Sequence, residues 1–258
     1  MENKEPKQWE QFKKFTSARI GLQRSGGSIG TKDMLQFRFD HAKAKDAVWG
    51  KCDWDKISDE LKYWGSVSLL HTKAKSREEY LLRPDLGRLL DEKSIEKLKL
   101  IKDKTIAFDL SICLVDGLSP NAINLNIVPL LAEIQSSIQK LFPNLAPLVC
   151  IENGRVAIGD AVSEIFNTKM VLVLIGERPG LSSADSIGAY ITYNAKIGTT
   201  DESRNCISNI RPDGLDFVRA KAKLMYLLEE AVSKKLTGVM LKDRMIESID
   251  EKKNSLLK

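Results

Sequence analysis

Apolar positions along this chain follow two different rhythms. Before residue 105 they recur three and four places apart. Met34, Leu35, Phe39 and Ala42 share one helical face after Thr31, and a second helical stretch covers about Trp54 to Trp64. Ser76 and Glu79 have the spacing of a capping box, in which the serine accepts an orphan N–H at a helix start. Leu90, Ile95, Leu98 and Ile101 predict another helix, and Val67 to Leu70 one short strand. Residues 1–15, polar and lysine-rich, read as a loose arm or a short helix.

After residue 105 the rhythm becomes that of buried strands alternating with helices. Thr105 to Val115, Pro147 to Glu152, Lys169 to Ile175 and Ile187 to Tyr193 are predicted strands. The continuous run Met170-Val-Leu-Val-Leu-Ile175 is that of a strand covered on both faces. Asp116-Gly-Leu-Ser119 reads as a turn into a helix, and Asn126 with Pro129 as a fresh helix start. From there Leu130, Leu131, Ile134, Ile138 and Leu141 form one stripe. Asp160 to Phe166 and Val218 to Leu236 are further helices, and the charged stretch after Lys242 a final helix or tail. The fold class is therefore α/β. A mainly helical region, residues 1–104, precedes a Rossmann-like, mostly parallel sheet with flanking helices over 105–258.

Composition narrows the function classes. With 43% hydrophobic and 29% charged residues, the chain has enough apolar side chain for a core, which excludes whole-chain disorder. The longest apolar run falls far short of the roughly 20 residues that span a bilayer. The first residues lack the apolar segment of a secretory signal, so the expected compartment is the cytoplasm. The net charge of +5 is uneven: residues 1–104 carry 23 basic and 17 acidic side chains. Interleaved acids make that a solvated helical surface rather than a nucleic-acid stripe. Cys52, Cys113, Cys150 and Cys206 are scattered, so neither a disulfide framework nor a metal cluster is expected.

In an open sheet, ligands bind beyond the carboxyl ends of the strands. Three glycine-bearing loops are candidates: Asp116-Gly-Leu-Ser119, Gly176-Glu-Arg-Pro-Gly180 and Cys206-Ile-Ser-Asn-Ile-Arg-Pro-Asp-Gly214. Glu177 is either paired with Arg178 or an acceptor for a ligand's N–H groups. Asp116 has the place of a helix cap. No nucleophile–base arrangement, Walker loop or G-x-G-x-x-G turn is present, and both histidines, His41 and His71, lie in the first part. The residues describe a ligand edge without a catalytic engine. A stand-alone nucleotide-binding module is one reading of it, a non-catalytic scaffold another.

Several motifs occur together in order: Thr16-Ser-Ala-Arg-Ile20, Asp40-His41, Arg83-Pro-Asp-Leu-Gly-Arg88, Asp116-Gly-Leu-Ser119, Gly154-Arg-Val156, Gly176-Glu-Arg-Pro-Gly-Leu181 and Cys206-Ile-Ser-Asn-Ile210. Over roughly residues 16–240 the chain resembles the small subunit of ethanolamine ammonia-lyase. The resemblance implies a lyase that uses adenosylcobalamin to convert ethanolamine to acetaldehyde and ammonia. It implies a hetero-oligomer in which a large subunit holds the substrate and most catalytic residues, while this chain closes over cobalamin. Its cofactor contacts carry over onto Val156, Glu177 and Cys206, with no catalytic residue and no metal ligand in this chain. A D-x-H-x-x-G motif is absent, so the cofactor is expected to keep its own dimethylbenzimidazole base (base-on). The resemblance extends the expected location to a bacterial microcompartment within the cytoplasm; enteric relatives carry a longer N-terminal extension linked to that packaging, and the arm here is short.

Overall fold

A computed structural model of the chain describes residues 7–16, 18–22, 24–102, 105–243 and 245. A short helix α1 (Lys7–Lys13) and a two-stranded hairpin, β1 (Arg24–Ser25) with β2 (Ser28–Ile29), precede α2 (Thr31–Trp49) and α3 (Trp54–Glu60). Then come β3 (Val67–His71), α4 (Arg77–Leu82) and α5 (Glu92–Ile101). The second half runs β4 (Leu110–Val115), α6 (Pro120–Leu141), β5 (Leu148–Glu152), α7 (Ile158–Phe166) and β6 (Met170–Gly176). It ends with β7 (Ile187–Tyr193), β8 (Arg204–Ile210) and α8 (Phe217–Lys234). No described helix is long and apolar enough to cross a membrane.

One six-stranded sheet organises these elements, in the order β3-β5-β4-β6-β7-β8. The pairs β3/β5, β5/β4 and β4/β6 are parallel; β6/β7 and β7/β8 are antiparallel. The α/β class is as the pattern of strands and helices predicts. Every residue of β4 and β6 is buried, because helices cover both faces. Leu110, Ile112, Leu114, Leu172 and Leu174 pack on one face with α3, α6 and α8. Cys113, Val115, Val171, Val173 and Ile175 pack on the other with α5 and α7. Strand β3, from the helical first part, forms one edge of the sheet.

Several local expectations need correction. The chain does not start a new helix at Asn126–Pro129. It forms one helix from Pro120, capped by Ser119, whose hydroxyl accepts from Ala122 N at 3.2 Å. Pro129 lies inside that helix on the exposed side, and the Leu125 carbonyl it leaves unbonded belongs to a residue that is itself exposed. Water can satisfy that group, and the buried stripe from Ile123 to Ile138 outweighs the lost bond. The first strand of the second half begins at Leu110, five residues later than predicted, and residues 103–104 lie outside the described set. The Ser76 cap is present, its hydroxyl accepting from Glu79 N at 3.1 Å. The Glu79 carboxylate takes Lys75 N rather than Ser76 N. Most of the predicted tail after Lys242 falls outside the described residues.

The largest correction concerns residues 206–210. They are read from sequence as a loop, yet they form most of β8, the second edge strand. Their polarity reflects an edge exposed on one face, not a turn: only Ile207 and Ile210 of this stretch are buried. Because β7 runs antiparallel to β6, the carboxyl end of β7 lies at the far edge of the sheet. Strand β8 carries the chain back, so residues 210–214 return to the edge where β4 and β6 end.

At that edge the β4–α6 turn lies directly on the end of β6. Leu118 N donates to Gly176 O at 2.9 Å, and a Cβ on Gly176 would stand 2.2 Å from Ser119 O and 2.5 Å from Asp116 O. Both obstacles are backbone. Gly176→Ala is therefore expected to destabilise the protein by about 1–3 kcal/mol, seen as a lower urea midpoint with an unchanged slope.

Candidate functional site at the carboxyl edge of the sheet

The edge is organised by a buried carboxylate. Asp116, the first residue after β4, does not cap α6, a role Ser119 fills. Its side chain crosses to the β5–α7 connection, where Oδ2 accepts from Asn153 N at 2.9 Å and Oδ1 from Gly154 N at 3.3 Å. Arg77 approaches Oδ2 at 3.8 Å and donates to Gly117 O at 2.7 Å and Val48 O at 2.8 Å. Burial pushes the Asp116 carboxyl up to about 7, against the pull of both N–H donors and of Arg77.

The same turn is held from its other side. Tyr80 is fully buried and donates to Gly154 O at 2.9 Å. The Arg77 and Arg155 guanidinium groups lie 4.9 and 4.5 Å from its ring centroid. Arg155 N donates to Gly87 O at 2.8 Å, and a Cβ on Gly87 would meet the Tyr80 ring at 2.8 Å. Two motifs far apart in sequence, Arg83 to Arg88 and Gly154 to Val156, thus meet in space. Val156 emerges from this clamp at the head of α7, half-buried against the core that includes Val115 and Ile175.

Beyond α7 the same face of the sheet is left open over β7 and β8, where Tyr190 is half-buried and Cys206 and Ser208 are exposed, a shallow trough walled by α7. In register, Val173 stands opposite Tyr190 and Tyr190 opposite Cys206, so Tyr190 forms the floor. Its phenol is held well above the ordinary tyrosine range, by burial first and then by Cys206 and the Glu177 carboxylate. Cys206 is exposed, its Sγ 3.3 Å from Ser208 Oγ. Glu177 closes the end of the trough. Its backbone N–H donates to Ser186 O at 3.0 Å, and its Oε2 accepts from Asn209 N at 2.9 Å rather than from Arg178. Gly188 sits between these groups. A Cβ there would lie 3.1 Å from both Glu177 Oε1 and the Tyr190 ring, so its absence keeps the trough open.

Glu177 and Cys206 therefore flank one floor residue, and Val156 stands on the α7 side of the same face and edge. Sequence reasoning missed Gly188 and Tyr190, which lie in a strand and carry no motif of their own, and it read Asn209 only as part of the Cys206 motif. It also missed the base of the trough. There Arg204 and Asp160, 2% and 3% exposed at their side chains, form a two-pronged ion pair, Nη1–Oδ1 2.7 Å and Nη2–Oδ2 2.8 Å. Residues 44 apart leave no local sequence signal. Among the described residues, no group of three His, Cys, Asp or Glu side chains is placed to hold a metal ion.

Fold and edge define an α/β protein of Rossmann-like build with an open, mixed-polarity trough where such sheets take ligands. The family model of the ethanolamine ammonia-lyase light chain matches residues 6–242. An ethanolamine ammonia-lyase small subunit from Pseudomonas putida (strain W619) is 44% identical over 250 residues, 96% of this chain and 92% of that protein. Proteins of the same name from Pseudomonas fluorescens (strain SBW25) and Ralstonia nicotianae are each 42% identical. They cover 97% and 91% of this chain, and 91% and 88% of their own lengths. The chain belongs to the ethanolamine ammonia-lyase light-chain family.

The raised Asp116 carboxyl has a consequence for stability. Between about pH 4 and pH 7 the folded chain holds a proton there that the unfolded chain has lost. Stability contributed at this position is therefore full at about pH 4 and declines as the pH rises through 7. Denaturant titrations of wild type and Asp116→Asn across pH 4–8 are expected to show wild type losing ground to the variant over that interval. A constant difference between the two would contradict the assignment.

Proposed function

We propose that this chain is the cobalamin-binding small subunit of an adenosylcobalamin-dependent ethanolamine ammonia-lyase, which converts ethanolamine to acetaldehyde and ammonia. In this reading a large subunit binds ethanolamine and supplies the catalytic groups, and the two chains form a hetero-oligomer. The observation that carries the reading is that Glu177 and Cys206 both stand beside Tyr190 on one sheet face, Glu177 and Tyr190 meeting at Gly188, with Val156 at the head of α7 on that same face.

The residues suit a corrin. Its broad face is largely apolar, and its rim carries primary amides that both donate and accept hydrogen bonds. Tyr190 offers a flat aromatic floor and Val156 an apolar contact. Glu177 has one carboxylate oxygen, Oε2, engaged by Asn209 N. Oε1 takes no hydrogen bond among the described residues and is available to an amide N–H. Cys206 offers a thiol and the exposed edge of β8. When bound, adenosylcobalamin supplies radical chemistry through homolysis of its cobalt–carbon bond, and the protein supplies position and exclusion of water. None of these side chains needs to touch cobalt.

Two further observations support the reading. Helix α2 has only Ala47 buried, while Leu35 is 59% and Trp49 51% exposed, with Phe37 and Phe39 exposed between them. Apolar side chains left in the open on this scale mark a surface meant for a partner. A nucleotide-binding module would need free N–H groups after β4. There Leu118 N is bonded to Gly176 O and Ser119 caps α6.

Co-expression with the neighbouring large subunit is expected to yield a complex that releases acetaldehyde from ethanolamine only with adenosylcobalamin. Glu177→Ala is expected to raise the KM for the cofactor about tenfold, as for loss of a charge-assisted hydrogen bond, with the KM for ethanolamine unchanged. Absence of complex and activity would sink the proposal. The cofactor is proposed to stay base-on. In the reduced enzyme, an EPR spectrum with isotopically labelled protein histidine is expected to show no nitrogen coupling from the label.

A further inference from the structure

The Asp160–Arg204 pair is almost wholly buried and two-pronged. Both charges are almost wholly withdrawn from water, and Arg204 also donates to Thr192 Oγ1 at 3.2 Å and Thr199 O at 2.7 Å. Replacing such a pair by well-packed apolar residues is often neutral or stabilising, because desolvation offsets the mutual attraction. What the pair supplies is geometry. A planar guanidinium gripping a carboxylate by both prongs sets distance and angle together.

The two elements it joins, α7 and β8, lead to two of the proposed contact residues. Asp160 is in the first turn of α7, and Val156 lies one helical turn before it. Arg204 begins β8, and Cys206 follows two residues later on the same strand face. Helix α7 connects the parallel strands β5 and β6, so it runs opposite to them, and its head lies at the carboxyl edge. Strand β8 is antiparallel to β7 and therefore runs with β6 towards that edge. Going from Asp160 back to Val156, and from Arg204 on to Cys206, the chain moves the same way. The tie thus sits level with Thr192, further from that edge than Val156 and than Cys206, which pairs with Tyr190. The seating of α7 depends on contact as well: a Cβ on Gly159 would stand 2.5 Å from a methyl of Val173.

We infer that Asp160 and Arg204 are positioning residues that fix Val156 and Cys206 relative to one another by locking α7 to β8. The inference rests on the reading of this face as the cobalamin site. Cofactor affinity is then decided partly by a pair that touches no cofactor.

The test compares complexes of the large subunit with wild type, the double variant Asp160→Leu with Arg204→Met, Arg204→Lys, and Glu177→Ala. Each is measured for its thermal midpoint and for the Kd of cyanocobalamin by equilibrium dialysis. The double variant is expected to assemble with a midpoint at or above that of wild type, yet to bind cyanocobalamin about tenfold or more weakly, as when a group that orients ligand contacts is lost. Arg204→Lys keeps the charge but loses the fork, and is expected to weaken binding in the same direction. A Kd within twofold of wild type in either assembled variant, while Glu177→Ala binds weakly, would overturn the inference and leave the site reading intact. Unchanged binding in Glu177→Ala as well would remove the site reading, and the inference with it. If the double variant does not assemble, Arg204→Lys decides by the same criterion, and failure of both to assemble would assign the pair to folding alone.

Discussion

Burial of the central strands on both faces is the constraint from which the rest of this structure follows. Strands β4 and β6 expose none of their residues, so their backbone groups must be satisfied within the ladder and their side chains must be apolar. Helices are then required above and below, and polar chemistry is driven to the ends of the strands. Asp116 and Glu177 each stand one residue beyond such a strand. Both are polar positions at strand ends, and their surroundings differ because Asp116 turns inward and is buried while Glu177 is half-exposed.

The inward carboxylate shows how the edge is built. Asp116 is spent on holding a neighbouring turn, together with Arg77, Tyr80 and the Gly87 carbonyl. The turn delivers Val156. Glu177 is pinned by Asn209 N through one oxygen, which leaves the other directed at the open space beside Gly188. Three polar arrangements thus shape one trough: the Asp116 clamp, the Glu177 anchor and the Asp160–Arg204 tie. The two buried ones, at Asp116 and at Asp160–Arg204, are costly to desolvate and trade stability for a defined position.

Much of this was legible in the residues. The run Met170 to Ile175 declares a strand covered on both sides, and Ile187 to Tyr193 matches its strand to the residue. The stripe from Leu130 to Ile138 declares a helix face even though Pro129 obscures where that helix begins. Glu177 stands out as a charge directly after a buried strand. Cys206 misleads, because an edge strand with one solvated face has the composition of a loop. Val156 has no physical signature in the sequence; only the family motif marks it.

The sequence by itself determined the alternation of strands and helices, the apolar faces that make a two-sided core, and family membership, since periodicity and short motifs are properties of neighbouring residues. It did not determine that β7 reverses direction, that β8 returns as an exposed edge, or that Asp160 meets Arg204. Those depend on which strands pair and which helix lies over them. Residues 32 and 44 apart in the chain, Glu177 with Asn209 and Asp160 with Arg204, become neighbours only when the sheet closes its order. Long-range hydrogen bonds and charge pairs have no local period, and so the shape of the trough belongs to the tertiary structure alone.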